Sequence, residues 1–132
     1  MSDIRDKIKE TIDSEPVMLF MKGTPERVFC GNSARALDAL RAVGSPVTAV
    51  DVLPDPAIRQ ELTALSSWPT IPQVFVGGEL VGGADIVEEL AETGELTQTL
   101  DAKLGGGWRD SAGERVVSVS ERRNPFGLAA PS

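Results

Sequence analysis

The chain has 132 residues, of which 41% are hydrophobic and 25% charged, a composition typical of one soluble globular domain with its own core. Its formal net charge of −7 disfavours nucleic acids and membranes as partners, because both require a basic surface. One cysteine and no histidine exclude a disulfide within the chain, the usual single-chain zinc site and a histidine-based catalytic pair. No targeting signal or long apolar run is present, so we expect a cytoplasmic protein.

The first two predicted elements are a short amphipathic helix and a buried strand. Ile4, Ile8 and Ile12 recur at helical spacing, and Pro16 ends this helix. The continuous apolar run Val17–Met21 is typical of a strand that is covered on both faces.

The only cysteine, Cys30, stands at the start of a second predicted helix. Apolar residues recur at helical spacing over residues 36–43, and Gly44 follows as a stop. At the helix N-terminus, unpaired backbone N–H groups and the helix dipole favour a thiolate, and Lys22 adds to the effect. A lone cysteine is often just a small buried apolar residue, but Gly31 leaves room for a ligand or metal to approach the sulfur. Disulfide or metal chemistry at Cys30 therefore needs a second molecule.

The middle of the chain predicts a βαβ unit and a third helix. Residues 47–52 form another buried apolar run, so strand, helix and strand predict a right-handed crossover. Asp55 and Pro56 are an N-cap and a first-turn proline. The apolar face of this third helix is expected to consist of Ile58, Leu62 and Leu65.

A β-hairpin is predicted after residues 68–72, a segment that two prolines interrupt. Residues 73–76 and 79–81 flank Gly77-Gly78, which is a strong two-residue turn signal. Two further helical stretches follow, before and after Gly94. Their apolar residues are Ile86, Val87, Leu90, Leu96, Leu100 and Leu104.

The C-terminal segment is predicted to be a Gly-rich linker and a mostly disordered tail over residues 105–132, after a domain that spans residues 1–104. Three glycines open this tail, and its only periodicity is a short alternation from Val116 to Val119. Alternatively, Trp108 and Phe126 dock on the core or on a partner.

Several short strings match one family in order and in spacing. They are Lys22-Gly23-Thr24-Pro25, Cys30-Gly31-x-Ser33, Asp51-Val52-Leu53, Ile58-Arg59, Trp68-Pro69-Thr70-Ile71-Pro72 and Val81-Gly82-Gly83-x-Asp85-Ile86. Chance agreement of so many strings is very improbable. Over residues 3–103 the chain therefore resembles the monothiol glutaredoxins. The resemblance implies an α/β thioredoxin fold, glutaredoxin-like, with a four-stranded mixed sheet flanked by helices.

The resemblance implies two activities, both of which involve glutathione. The first is to bind and transfer a 2Fe-2S cluster, which a homodimer holds through Cys30 and one glutathione thiol from each subunit. The alternative is glutathione-dependent thiol–disulfide exchange, such as deglutathionylation, through a catalytic Cys30. This activity is usually weak in monothiol members, so whether the chain acts mainly as an enzyme stays open. A BolA-type protein and apo iron–sulfur acceptor proteins are the implied partners.

The resemblance also assigns residues to the two ends of glutathione. Lys22 and Arg59 match the positions that face the glycine carboxylate. Asp85, together with the backbone N–H groups of Gly83 and Ala84 at a helix start, matches the γ-glutamyl end.

The segment before the hairpin is matched to the middle of the ligand. Thr70 and Ile71 precede Pro72, which is cis in the family and turns a strand edge toward the cysteinyl unit of glutathione. Singly, such residues are more often surface charges, a helix cap, a turn or packing residues. Their joint match to one pattern favours a binding site.

Three positions depart from the family pattern. Asn32 stands where cluster-binding members have phenylalanine, Ala84 replaces a common cysteine, and Val28 replaces a frequent proline. A hydrated amide beside a cluster is expected to alter its stability or potential. Ala84 keeps its backbone N–H group, and Val28 is expected to loosen the loop before Cys30.

Overall fold

The computed structural model of the chain describes residues 3–111 and 113–120. Its helices are α1 Asp3–Ser14, α2 Gly31–Ala42, α3 Pro56–Ser66, α4 Ala84–Thr93 and α5 Glu95–Leu104. Its strands are β1 Val17–Met21, β2 Gly23–Thr24, β3 Arg27–Val28, β4 Val47–Asp51, β5 Gln73–Val76, β6 Glu79–Gly82 and β7 Glu114–Val116. A 3-10 helix, Gly106–Ser111, lies between α5 and β7.

The main sheet is mixed and has the strand order β6-β5-β1-β4-β7. β4 runs parallel to β1, which confirms the predicted βαβ unit through α2. β5 pairs antiparallel with β1 and with β6, which confirms the predicted hairpin. β2 and β3 form a separate small hairpin in the loop before α2. This is the thioredoxin fold that the sequence predicted.

The core has two layers because successive side chains of β1 point to opposite faces of the sheet. Val17, Leu19 and Met21 belong to the layer beneath α2, α4 and α5. Met18 and Phe20 belong to the layer beneath α1 and α3. The sheet therefore lies between two helical layers, and every residue of β1 is buried.

Two residues assigned to apolar helix faces lie at the margin of the core. Leu65 and Ile86 are each 37% exposed. Leu65 is thus a poorer core residue than its helical spacing predicts. Ile86 instead lines a surface cleft, which is described below.

The prediction of a disordered tail is wrong for residues 105–111 and 113–120. Trp108, in the 3-10 helix, is buried in the same core layer as α5, and its Nε1–H donates to Asp101 Oδ1 at 2.7 Å. This packing is hard to predict from the sequence, because the three glycines at 105–107 are typical of a linker. Here Gly105 ends α5 with a φ of 75°, which favours glycine.

β7 makes the main sheet five-stranded rather than four-stranded as predicted. It pairs parallel with β4, in a register that sets Val47 opposite Glu114 and Ala49 opposite Val116. Val119 follows and is buried in the layer beneath α1 and α3. The short alternation from Val116 to Val119 overlaps this strand only at Val116, so it did not predict the strand. Phe126 and the rest of 121–132 lie outside the described residues.

None of the helices in the described part of the chain is both long and apolar enough to cross a membrane.

Candidate functional site

Cys30 is the N-cap residue of α2, as its sequence position predicts. Its backbone is extended, with φ −146° and ψ 131°, and its carbonyl accepts the N–H of Ala34 at 3.0 Å, which begins the helical ladder. The residue is half-buried. Its sulfur therefore lies where the first N–H groups of a helix lack intrahelical acceptors.

The surroundings of Cys30 favour its thiolate. The backbone N–H of Ser33 is the main reason that the pKa of Cys30 lies below its usual range. The backbone of Asn32, the Ser33 hydroxyl and the charge of Lys22 act in the same direction, whereas partial burial opposes them. A thiolate is both the nucleophile of thiol chemistry and the form that binds iron.

The loop before α2 is fixed by Gly23 and Asp51. The Gly23 N–H donates to Asp51 Oδ1 at 2.9 Å, which ties the start of β2 to the end of β4. A Cβ atom at Gly23 would lie 2.3 Å from the carbonyl oxygen of Arg27, so only glycine fits there. The neighbouring Lys22 N–H donates to Ser33 Oγ at 3.1 Å. Lys22 is thereby held at the start of the helix that carries the thiol.

A cleft of about 420 Å³ lies on the side of α2 that faces the hairpin segment. It brings together six of the eight residues that the resemblance assigned to glutathione, Thr70, Ile71, Pro72, Gly83, Ala84 and Asp85. The remaining lining residues are Asn32, Trp68 and Ile86.

One wall of the cleft is held by a buried glutamine. The Ile71–Pro72 peptide bond is cis. Directly after it, the Gln73 side chain donates to the carbonyl oxygens of Trp68 at 3.0 Å and Thr70 at 3.2 Å. Gln73 is fully buried, so these two bonds fix the backbone of the segment before the proline.

The opposite wall is the N-terminus of α4. Gly83 is its N-cap, so Asp85 is a first-turn residue and not the cap. A Cβ atom at Gly83 would lie 3.3 Å from both the Pro72 oxygen and Trp68 Nε1, so the two walls approach closely here. The Trp68 Nε1–H is buried and finds no partner among the described residues.

Arg35 of α2 joins this wall through ion pairs that the sequence analysis missed. Its Nη2 donates to Asp85 Oδ1 at 2.8 Å and to Glu88 Oε1 at 2.7 Å. Its Nη1 donates to Asn32 Oδ1 at 3.2 Å. Asp85 and Glu88 are three residues apart on one helical face, but only the packing of α2 against α4 brings Arg35 to them.

The other predicted site residues lie outside the cleft lining. Lys22 is placed at Cys30 by the contacts given above, whereas Arg59 is an exposed residue of α3. Arg59 is not among the described residues that line the cleft, so its role stays a prediction. Within residues 3–111 and 113–120, no group of three histidine, cysteine or acidic side chains is arranged to hold a metal ion.

The family comparisons agree with this geometry. The Glutaredoxin family profile matches residues 17–81. The chain is 52% identical over 99 residues to "Glutaredoxin 4" of Pasteurella multocida, with 75% of this chain and 90% of that protein covered. It is 48% identical over 97 residues to "Monothiol glutaredoxin-S11" of rice, with 74% of this chain but only 20% of that longer protein covered.

Solved structures give the same result. A monomeric truncated mutant of Trypanosoma brucei 1-C-Grx1 superposes with a TM-score of 0.69 and is 44% identical, with 75% of this chain and 90% of that chain covered. A buckwheat glutaredoxin–glutathione complex has a TM-score of 0.66 at 25% identity, with 75% and 88% covered. The holo form of poplar glutaredoxin C1 has a TM-score of 0.66 at 31% identity, with 76% and 88% covered. The chain therefore belongs to the glutaredoxin family, among relatives named Glutaredoxin 4 and monothiol glutaredoxin.

Proposed function

We propose that this glutaredoxin binds glutathione and carries a 2Fe-2S cluster, as cargo, in a glutathione-bridged dimer. The observation that carries the proposal is the single thiol of Cys30, which is half-buried and has a lowered pKa at the start of α2. A 2Fe-2S cluster needs four ligands, usually thiolates. Two chains supply two of them, and two glutathione thiols complete the set.

The cleft suits the γ-glutamyl end and the peptide part of glutathione. The first N–H groups of α4, at Gly83 and Ala84, form the kind of site that binds a carboxylate. The segment held by Gln73 presents the backbone of Thr70 and Ile71, which suits pairing with an extended peptide. The buckwheat relative was solved with glutathione, which supports the same ligand here.

The glycine end of glutathione is assigned to two cations outside the cleft. Lys22 lies close enough to Cys30 to lower the pKa of its thiol, so a carboxylate bound there would sit near the sulfur. Arg59 would supply the second cation. Charge-assisted hydrogen bonds of this kind are about twice as strong as neutral ones.

Anaerobic reconstitution with iron, sulfide and glutathione tests the cluster proposal. We expect a dimer that absorbs visible light, with about one cluster per two chains. Cys30→Ser should remove both the colour and the dimer, and omission of glutathione is the matched control for wild-type protein. A colourless monomer under complete conditions would refute the proposal.

The proposed protein partners are a BolA-type protein and apo iron–sulfur proteins that accept the cluster. The full sequence has no histidine, so a partner with an imidazole would contribute a ligand that this chain lacks. Titration of the loaded dimer with a BolA-type protein should change the visible spectrum. No complex and no spectral change would count against this partner.

The second candidate function is glutathione-dependent thiol–disulfide exchange. The Cys30 thiolate would attack the glutathione sulfur of a glutathionylated protein, form a Cys30–glutathione disulfide and release the protein thiolate, which takes up a proton. A second glutathione thiolate would then release Cys30 and leave oxidised glutathione. Exposed, polar Asn32 favours this candidate, because it leaves the sulfur open to attack.

Turnover of a glutathionylated peptide, coupled to glutathione reductase, decides between the two functions. Rates comparable to those of a glutaredoxin with two active-site cysteines, without cluster formation, would favour exchange. Slow turnover together with a stable cluster would favour the carrier.

A further inference from the structure

Phe29 and Leu53 form an exposed apolar rim beside the thiol. Phe29 directly precedes Cys30 and has the most exposed large apolar side chain of the described residues, at 61%, while Leu53 is 49% exposed. Asp51 holds both, because its Oδ1 atom accepts the N–H of Gly23 and that of Leu53, each at 2.9 Å. The Phe29 ring packs on Gly23, where a Cβ atom would lie 2.9 Å from its Cδ2 atom. Both members of the rim are thereby tied to one carboxylate.

The rim is suited to take up a further apolar side chain. The Arg27 guanidinium lies over the Phe29 ring, with its Cζ atom 5.6 Å from the ring centroid, yet most of the ring stays exposed. A single exposed apolar residue is common in soluble proteins, but two that share an anchor beside a reactive thiol form a surface where another apolar group can dock.

The strand order brings the chain that follows β7 to the same edge of the sheet. β7 runs parallel to β4, and the Val117 N–H continues this ladder to the carbonyl of Ala49. The chain therefore leaves β7 toward the carboxyl end of β4, where Asp51 and the rim lie. On its other side β4 pairs with β1, which leads to Lys22 and Cys30. Since neighbouring strands lie about 4.8 Å apart, the ends of β7 and β1 are about 10 Å apart across the sheet.

The segment 121–132 carries apolar groups that can reach the rim. Its large apolar side chains are Phe126 and Leu128. Phe126 is six residues beyond residue 120. An extended chain spans at most about 3.5 Å per residue, so Phe126 can lie up to about 20 Å away, twice the distance across the strands. A tethered segment also meets the rim at an effective concentration in the millimolar range, far above that of a free partner in dilute solution.

We propose that Phe126 and Leu128 dock on the rim of Phe29 and Leu53 within one chain, and that this contact restricts access to the Cys30 thiol. A segment docked there narrows the approach of large reagents and of proteins to the sulfur. The contact is autoinhibitory, because a protein substrate must displace it. The inference does not depend on which ligand occupies the cleft.

Thiol modification of the whole chain tests the access to Cys30. Its rate is measured with a small reagent, iodoacetamide, and with a bulky one, a maleimide attached to polyethylene glycol. Phe126→Ala should raise the rate with the bulky reagent about twofold, because the ordering of the segment offsets most of the gain from burying one ring. The rate with iodoacetamide should change less, so the ratio of the two rates distinguishes access from a change in the pKa of the thiol.

The two rim residues offer a matched pair of variants. Leu53→Ala should raise the ratio of bulky to small reagent rates as Phe126→Ala does. Leu65→Ala is its control, because Leu65 is a leucine of similar exposure, 37%, on α3 and outside the rim. This control should leave the ratio at the wild-type value.

A double-mutant cycle and NMR spectroscopy identify the contact itself. If Phe126 lies on Leu53, the two substitutions together should raise the rate ratio no further than either does alone. The methyl resonances of Leu53 should also shift in Phe126→Ala, because the ring current of a phenylalanine acts only on atoms close to it. The methyl resonances of Leu65 should stay in place.

Three results would overturn the docking. They are an equal rate ratio in wild type and Phe126→Ala, additive effects in the double variant, and Leu53 resonances that do not shift. A rate ratio that depends on protein concentration would show that a second copy of the chain covers the rim, and it would overturn the contact within one chain. All of these results would leave the proposed binding of glutathione and of the cluster untouched, since reconstitution tests those separately.

Discussion

Replacing Trp108 with alanine should cost about 3 kcal/mol of unfolding free energy. The indole is only 4% exposed and packs in the core layer of α5, and loss of a buried tryptophan typically costs about 3–5 kcal/mol. We place the value at the lower end, because its partner Asp101 is at the surface and keeps a 2.8 Å bond to Arg109. The free energy of unfolding of a domain of this size is about 5–15 kcal/mol in total, so this loss is a large share of it.

Urea denaturation followed by far-UV circular dichroism measures the effect without relying on tryptophan fluorescence. Phe29→Ala is the matched control, because Phe29 is 61% exposed. This substitution should change the free energy of unfolding by no more than about 0.5 kcal/mol. A loss below about 1 kcal/mol for Trp108→Ala would refute the reasoning. A smaller m-value would show that the segment after α5 detaches while the rest stays folded.

Three further predictions concern the thiol and the ion pairs. Ser33→Ala removes a hydroxyl that lowers the pKa of Cys30, but it keeps the backbone N–H of residue 33. The pKa of Cys30 should therefore rise, yet stay below its value in the urea-unfolded chain. The rate of alkylation by iodoacetamide as a function of pH measures both values. Arg41 lowers the pKa of Glu114, so Glu114 stabilises the fold above its unfolded pKa of about 4.3 and loses this effect as the pH falls through its folded value. Glu114→Gln should therefore lower the free energy of unfolding by up to about 1 kcal/mol at pH 7, as measured by urea denaturation, and by less at lower pH. A difference between variant and wild type that does not change with pH would contradict this prediction. Asn32→Phe should lengthen the life of the cluster-loaded dimer in air, followed by visible absorbance, because an aromatic ring excludes water; equal lifetimes would show that Asn32 is neutral.

Much of the fold was predictable because its signals are local. The Asp55-Pro56 pair starts α3 as a capping residue and a first-turn proline, and the Asp55 side chain accepts the Ala57 N–H at 2.9 Å. The Gly77-Gly78 turn joins β5 and β6, and both glycines have positive φ. The position of Cys30 at a helix start followed from helical periodicity alone.

What escaped prediction depends on contacts between residues far apart in sequence. Arg35 and Asp85 are separated by 50 positions, and neither shows its partner locally. β7 has only three residues, too few for a periodic pattern to be distinctive. Trp108 follows three glycines. In the sequence these glycines indicated a linker more strongly than one aromatic residue indicated packing on the core. The sequence could suggest docking there only as an alternative.

The position of β7 also bears on the solubility of any shortened chain. β4 is rich in β-branched residues, and a strand of this kind with unpaired N–H and C=O groups tends to pair with copies of itself. β7 occupies that edge and replaces it with a short strand that carries Glu114 and Arg115. A chain cut after residue 104 would expose the edge of β4, so at high protein concentration it should aggregate within hours, faster than the 132-residue chain.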